Sequence, residues 1–214
     1  MKVNTDGCLL GAWCNPLGTH LLDVGTGSGV IALMLAQRNS HANIGAIDID
    51  AFSCLDAKYN FSVSPWQNRL QLYHTDFLQF DSSNKFDLIV SNPPFFKNGM
   101  KSIHHSRNIS RHNDKLSPID FLRHASQLMK IDGRMALIIP YSEFASWQKH
   151  AFDFDLNIGR ICYLRPSPNK PIHRVMVEFG KQIEFQEQQM CIRNEQETYT
   201  QEFTQLLSAF YLKL

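Results

Sequence analysis

A chain of 214 residues with 19% charged and 11% aromatic side chains can bury one sizeable core and is too apolar for extended disorder, so a single domain over 1–214 is expected. No apolar run approaches the roughly 20 residues of a membrane span, and Met1 to Gly7 carries no signal-like segment, which sets the expectation of a cytoplasmic protein with no membrane contact. The net charge of +1 gives no global nucleic-acid signal, but charge is uneven along the chain and the field near a site matters more than the total. Five scattered cysteines, none in a C-x-x-C pair, point to reduced thiols, with neither a disulfide framework nor a metal site.

Taken in chain order, Thr19 to Val24 is a short apolar run that ends in Asp23 and a glycine cluster, and Val30 to Gln37 follows with helical spacing. The reading is strand, turn, helix. The alternation repeats: strand Asn43 to Ile49, helix Ala51 to Phe61, strand Arg69 to His74, strand Phe86 to Val90. Ser117 is a plausible N-cap with Pro118 in the first turn, which predicts a helix to Lys130. Gly133 then turns the chain into a strand over Arg134 to Ile139, and Ser142 to Phe152 forms another helix. Leu156 to Leu164 and His173 to Phe179 are strand-like, and the Pro-rich link between them is too short for a crossover, so they predict an antiparallel hairpin. Tyr199 to Leu212 closes the chain as an amphipathic helix. The fold class expected is α/β, Rossmann-like, with a mostly parallel sheet and a C-terminal antiparallel hairpin. This arrangement resembles that of class I methyltransferases.

Three glycines at alternate positions in Asp23-Val24-Gly25-Thr26-Gly27-Ser28-Gly29 sit between a predicted strand and helix. Glycine lets a backbone turn tightly and approach a ligand without a Cβ in the way. The spacing differs from the dinucleotide fingerprint, and Asp23 offers a carboxylate suited to an ammonium group rather than to a pyrophosphate. These features resemble the first motif of S-adenosylmethionine-dependent methyltransferases. Asp48 ends the second strand, where such folds place a carboxylate on ribose hydroxyls; Asp50 shares its face and competes for the role, with Asp48 preferred by register. Asp76-Phe77 follows the third strand, where these enzymes hold the adenine of the cofactor. The expected cofactor-binding set is Asp23, Gly25, Thr26, Gly27, Gly29, Asp48, Ile49, Asp76 and Phe77, with S-adenosyl-L-methionine as cofactor.

Ser91-Asn92-Pro93-Pro94-Phe95-Phe96 follows the fourth strand, and ligands of open α/β sheets bind at the carboxyl edge. Two prolines fix φ and remove two N–H donors, which leaves carbonyls and the Asn92 amide oxygen as acceptors beside an aromatic face. That composition suits a planar amine. Asn92, Pro93, Pro94 and Phe95 are the expected catalytic residues: two acceptors hold the amine hydrogens and stabilise the positive charge that grows on nitrogen. Basic residues follow the loop (Lys97, Lys101, Arg107, Arg111, Lys115), and Arg165, Lys170 and Arg174 lie around the hairpin tip. With Phe96 these form the expected substrate-binding set, the cations meeting phosphates. His104, His105 and His112 read as solvated or phosphate-near residues rather than ligands, and Trp13 and Trp66 as packing residues.

The chain resembles the bacterial tRNA1(Val) adenine-N6 methyltransferases. The resemblance rests on the lead-in Lys2-Val3-Asn4-Thr5-Asp6-Gly7 with Leu10-Gly11-Ala12-Trp13, on the cofactor loop and its helix, on Ser64-Pro65-Trp66, Ser91 to Phe95 and His173-Arg174-Val175, and on Ala209-Phe210-Tyr211-Leu212. It implies methylation of the N6 amine of adenine 37, beside the anticodon, with tRNA as partner. By the same likeness, cofactor roles fall on Asp23, Gly25, Gly27, Asp48 and Asp76, and amine-binding roles on Asn92, Pro93 and Phe95. Family members carry residues before this lead-in, which suggests an N-terminally shortened chain with 1–18 as the lead-in segment. Phe95 stands where Tyr is common. Guanine-N2 methylation of ribosomal RNA and glutamine-N5 methylation of a protein are the alternatives, since related loops serve both.

Overall fold

The computed structural model describes residues 4–93 and 116–212. Asn4 caps the first helix, α1 (Thr5–Trp13), by accepting from Gly7 N at 2.7 Å. The strand, turn and helix expected next are β1 (His20–Val24) and α2 (Val30–Arg38), followed by β2 (Asn43–Asp48), α3 (Ala51–Ser62), β3 (Leu70–His74) and β4 (Phe86–Ser91). Beyond residue 115 come α4 (Pro118–Leu128), β5 (Met129–Pro140), α5 (Tyr141–Phe152), β6 (Asn157–Arg165), β7 (Arg174–Gly180), β8 (Gln186–Cys191) and α6 (Gln201–Leu207).

The strands form one sheet in the order β3-β2-β1-β4-β5-β7-β6-β8. All neighbours are parallel except β7, which runs antiparallel to both β5 and β6. Alternate side chains along each central strand face opposite layers, as the pleat requires. Leu21, Leu88, Val90, Ala136 and Ile138 pack with α1, α2 and α6, whereas Leu22, Val24, Ile89, Met135, Leu137 and Ile139 pack with α4 and α5. Each large side chain buried this way contributes about 1.5–3 kcal/mol, and Phe121, Phe179 and Phe203 are among the largest.

Four boundaries depart from the expectation. Residues 5–13 form a helix where only a lead-in was expected; Gly7 to Trp13 are all buried, so no amphipathic period marks the segment. The helix expected to reach Lys130 stops at Leu128, and Gly133 lies inside β5 rather than at a turn. Phe86 pairs with Met129 and the register then shifts, which brings Phe86 O to 2.8 Å from where a Cβ on Gly133 would sit. β8 was not expected, because its Gln-Glu-Gln-Gln stretch is exposed and lacks apolar alternation; parallel pairing with β6 holds it. The last helix is confined to Gln201–Leu207, capped by Thr200.

Polar ties fix α1 at both ends. Arg174 Nε donates to Asp6 Oδ2 at 2.8 Å near its start. Near its end Arg38 Nη1 donates to Gly11 O and Cys14 O, and the Arg160 guanidinium lies 4.4 Å from the Trp13 ring centroid while donating to the fully buried Glu178. Trp13 is therefore a packing residue, and Trp66 packs half-buried against the same layer. Arg69 is a comparable hub that the sequence did not reveal: it donates to Ala36 O, Asn39 O and Ala42 O, each at 2.8 Å, and so satisfies carbonyls at the end of α2. Arg69→Leu is expected to lower unfolding free energy by roughly 2–4 kcal/mol, read as a shift in urea midpoint at constant m-value.

Candidate functional site

Parallel strands put the ends of β1 to β5 on one edge, and antiparallel β7 brings the tip of the β6–β7 hairpin to that edge as well, since Arg174 pairs with both Pro140 and Leu164. The glycine loop leaves β1 there. Gly25 N and Thr26 N both donate to Ile47 O, at 2.8 and 2.9 Å, and Gly29 N donates to Thr26 O. Such a turn needs left-handed backbone, and φ is +72°, +58° and +84° at Gly25, Gly27 and Gly29. Among the described residues a Cβ on Gly25 would meet nothing within 4 Å, whereas one on Gly29 would lie 2.4 Å from Phe61. The first glycine thus has room at its Cβ position among the described residues, and the third is needed for packing. Asn60 Nδ2, reaching from α3 to Ser28 O at 2.8 Å, steadies the loop.

Asp23, near the end of β1, is fully buried against the start of α2. Its Oδ2 accepts from Thr26 Oγ1 at 2.6 Å and Ala32 N at 3.1 Å, while its Oδ1 has no hydrogen-bond partner among the described residues. Burial pushes its carboxyl up to about 7, against the two hydrogen bonds and with a further push from the Asp48 charge. Asp48 accepts from Gly27 N at 2.8 Å through one oxygen and from Asp50 N at 2.9 Å through the other. Each carboxylate oxygen accepts more than one bond, so Asp48 retains capacity for a diol. Asp50 caps α3, accepting from Ser53 N. Asp76 caps a short 3₁₀ turn (Phe77–Gln79) through Leu78 N. Phe77 is buried against Phe121 and His124, beneath the edge, while Ile49 and Leu78 are the exposed apolar side chains that follow Asp48 and Asp76.

On the other side of β1, Val24 is the register partner of Ser91, and Ser91 Oγ donates to Val24 O at 2.8 Å. Asn92 is therefore one residue beyond the paired ends, level with the glycine loop. Its Nδ2 donates to Asn4 Oδ1 at 3.4 Å, and its Oδ1 is buried with no partner among the described residues. Pro93 is buried. Pro94, Phe95, Phe96, Lys97, Lys101, Arg107, Arg111 and Lys115, with the three histidines between them, lie outside the described residues. At the hairpin tip Arg165 Nη1 donates to Lys170 O and Lys170 is exposed, whereas Arg174 is engaged with Asp6. Asn4 and Asn60 were not singled out from sequence; the available signal for Asn4 was a capping residue type directly before a buried run.

All five cysteines are free, and burial pushes Cys14 up to about 12 and Cys162 to about 11, so neither is a thiolate nucleophile. No helix among the described residues is long and apolar enough to cross a membrane, and none of their His, Cys, Asp and Glu side chains group in threes.

Among the described residues, the room beside Gly25, a carboxylate oxygen without a partner and two further carboxylates at successive strand ends fit a ligand with an ammonium, a diol and an amine-bearing ring. The family description "Methyltransferase small domain" matches residues 7–143. In fold, a predicted O-methyltransferase from Agrobacterium tumefaciens superposes with TM-score 0.73 at 16% identity over 95% of this chain and 96% of that one. The ribosomal protein L11 methylase of Lactobacillus delbrueckii gives TM-score 0.57 at 18% identity over 81% of this chain and 76% of that one. The protein is a class I S-adenosylmethionine-dependent methyltransferase. Proteins named tRNA1(Val) (adenine(37)-N6)-methyltransferase are 38% identical in Vibrio campbellii and 40% in Parabacteroides distasonis, over 100% of this chain and 90% and 92% of theirs. The chain belongs to the tRNA1(Val) (adenine(37)-N6)-methyltransferase family.

Between 3.8 and about 7 the folded protein holds a proton on Asp23 that an unfolded chain has released. Stability contributed by this group therefore falls as pH rises through that window. Urea midpoints at the two ends of the window should differ more for the wild type than for Asp23→Asn, which cannot titrate.

Proposed function

We propose that this enzyme methylates the N6 amine of adenine 37 in tRNA1(Val), working in the cytoplasm as a single domain. The observation that carries the reading is the buried Asn92 Oδ1, without a partner among the described residues, one residue past the strand end that pairs with the root of the glycine loop. An acceptor desolvated in this way lacks a donor, and an exocyclic amine supplies two.

The cofactor, when bound, supplies a methyl group on a sulfonium. On this reading Gly25, Thr26 and Gly27 admit its amino-acid part, and Asp23 Oδ1 accepts from its ammonium. Asp48 accepts from the ribose hydroxyls, and Asp76 accepts from its adenine amine beside Ile49 and Leu78. Phe77 acts from below, as the packing that holds the Asp76 turn. Substrate adenine must leave its stack to reach the pocket. The Asn92 oxygen and the Pro93 carbonyl take the two hydrogens of its N6, which turns the nitrogen lone pair out of the ring. As the bond to nitrogen forms and the donor's carbon–sulfur bond breaks, positive charge passes from sulfur to nitrogen; the fixed acceptors stabilise it there, and the surplus N6 proton leaves to solvent afterwards, so no strong general base is needed. The remaining loop roles follow the resemblance: Pro94 stiffens the turn, and Phe95 stacks on the base, a contact worth about 1–3 kcal/mol.

Phosphates of the anticodon region are met by Arg165 and Lys170 at the hairpin tip and by the basic residues between Phe96 and Lys115. Arg174, paired with Asp6, contributes by holding the tip to α1. Protein and tRNA thus meet at the carboxyl edge, where electrostatic contacts position the substrate and the pocket selects the base.

Incubation with labelled cofactor and total tRNA, followed by nucleoside mass spectrometry, is expected to yield N6-methyladenosine at position 37. Methylguanosine, or label in protein, would overturn the assignment. Asn92→Ala is expected to lower kcat by about two orders of magnitude or more, with cofactor affinity by calorimetry little changed. Equal loss of both would make the loop structural only.

A further inference from the structure

We infer that Asn4 is a positioning residue for the methyl transfer, setting which end of the Asn92 carboxamide faces the amine. The inference rests on the reading of Asn92 given above. A terminal amide has a broad, two-fold torsion, so Asn92 can present either its oxygen or its NH₂ to the pocket. Only the oxygen serves: an NH₂ facing an amine offers donors to donors.

A relay of defined polarity makes the choice. Gly7 N belongs to the first turn of α1 and can only donate; it donates to Asn4 Oδ1 at 2.7 Å. That bond fixes Asn4 with its oxygen toward the helix. The same oxygen receives Asn92 Nδ2 at 3.4 Å. Rotating the Asn92 amide by half a turn would set two carbonyl oxygens against each other at about that separation, a repulsive arrangement. Asn92 Oδ1 is thereby left on the other side, buried and without a partner among the described residues. The helix carrying the relay is itself held, by Asp6 to Arg174 at one end and by Arg38 at the other. Asn4 touches neither the amine nor the methyl donor in this scheme; it acts through Asn92.

Two substitutions at one position separate capping from positioning. Serine is as good an N-cap as asparagine and can accept from Gly7 N, but it is too short to reach Asn92. Aspartate keeps both acceptor contacts. Asn4→Ser is expected to lower kcat with tRNA about tenfold, with KM for tRNA, cofactor affinity and melting temperature unchanged. Asn4→Asp should return kcat to within about twofold of the wild type. In an Asn92→Ala background, Asn4→Ser should cause no further loss, because the group it orients is gone.

Wild-type kcat in Asn4→Ser, while Asn92→Ala is inactive, would overturn the role of Asn4 and leave that of Asn92 standing. A melting temperature that falls together with kcat, equal impairment of the Ser and Asp variants, or an additive loss in the double variant would each reduce Asn4 to a helix cap and overturn the inference. Full activity in Asn92→Ala would overturn both readings at once.

Discussion

Two amide groups sharing one carbonyl set the geometry of the site. Gly25 N and Thr26 N both donate to Ile47 O, and one residue earlier Val24 O accepts from Ser91 Oγ. The end of β1 is thus tied to β2 on one side and to β4 on the other, at the point where the chain turns into its loop. A register slip of one residue would send Leu21 and Leu22 each to the other layer and turn the buried Asp23 away from Thr26 and Ala32. Core packing therefore holds the strand in register, and the register delivers Asp48 and Asn92 to opposite flanks of the same turn.

Among the described residues the same edge carries carboxylate and amide oxygens with unused acceptor capacity. Asp23 is held by a hydroxyl and one helix N–H, with an oxygen left over; Asp48 spends one bond on each oxygen; Asn92 keeps its oxygen unpaired among the described residues. Desolvated acceptors without donors destabilise a free protein and favour any ligand that brings donors. A ligand that carries an ammonium, a diol and an amine would supply donors to these oxygens.

Most of the parallel core was legible in the sequence because buried strands read as apolar runs and helices as periodic ones; β1, β2, β4, α2 and α3 are within a residue or two of their expected limits. The glycine loop was legible because its spacing has a backbone meaning. What escaped had no such pattern. α1 is buried on all sides, so its residues show no period, and β8 is exposed and Gln-rich, held by its neighbour rather than by its own preference. Arg69 and Asn60 act through contacts far apart in the chain, to which composition and spacing are blind, and of the two bonds to Asn4 only the cap to Gly7 is local. Asp50 could be separated from Asp48 only once the start of α3 claimed it as a cap.

Inserting β7 antiparallel between β5 and β6 has an effect beyond closing the sheet. It sends the one hairpin tip of that region to the ligand-facing rim and leaves the opposite rim to short, cross-braced turns, where Asp87 accepts from Thr19 N, His20 N and Lys130 Nζ. Part of the tip is closed by its own bonds, including Lys170 N to Ser167 O and Arg165 Nη1 to Lys170 O. The opposite rim thus joins segments far apart in the chain, so its bonds bear on the stability of the whole sheet.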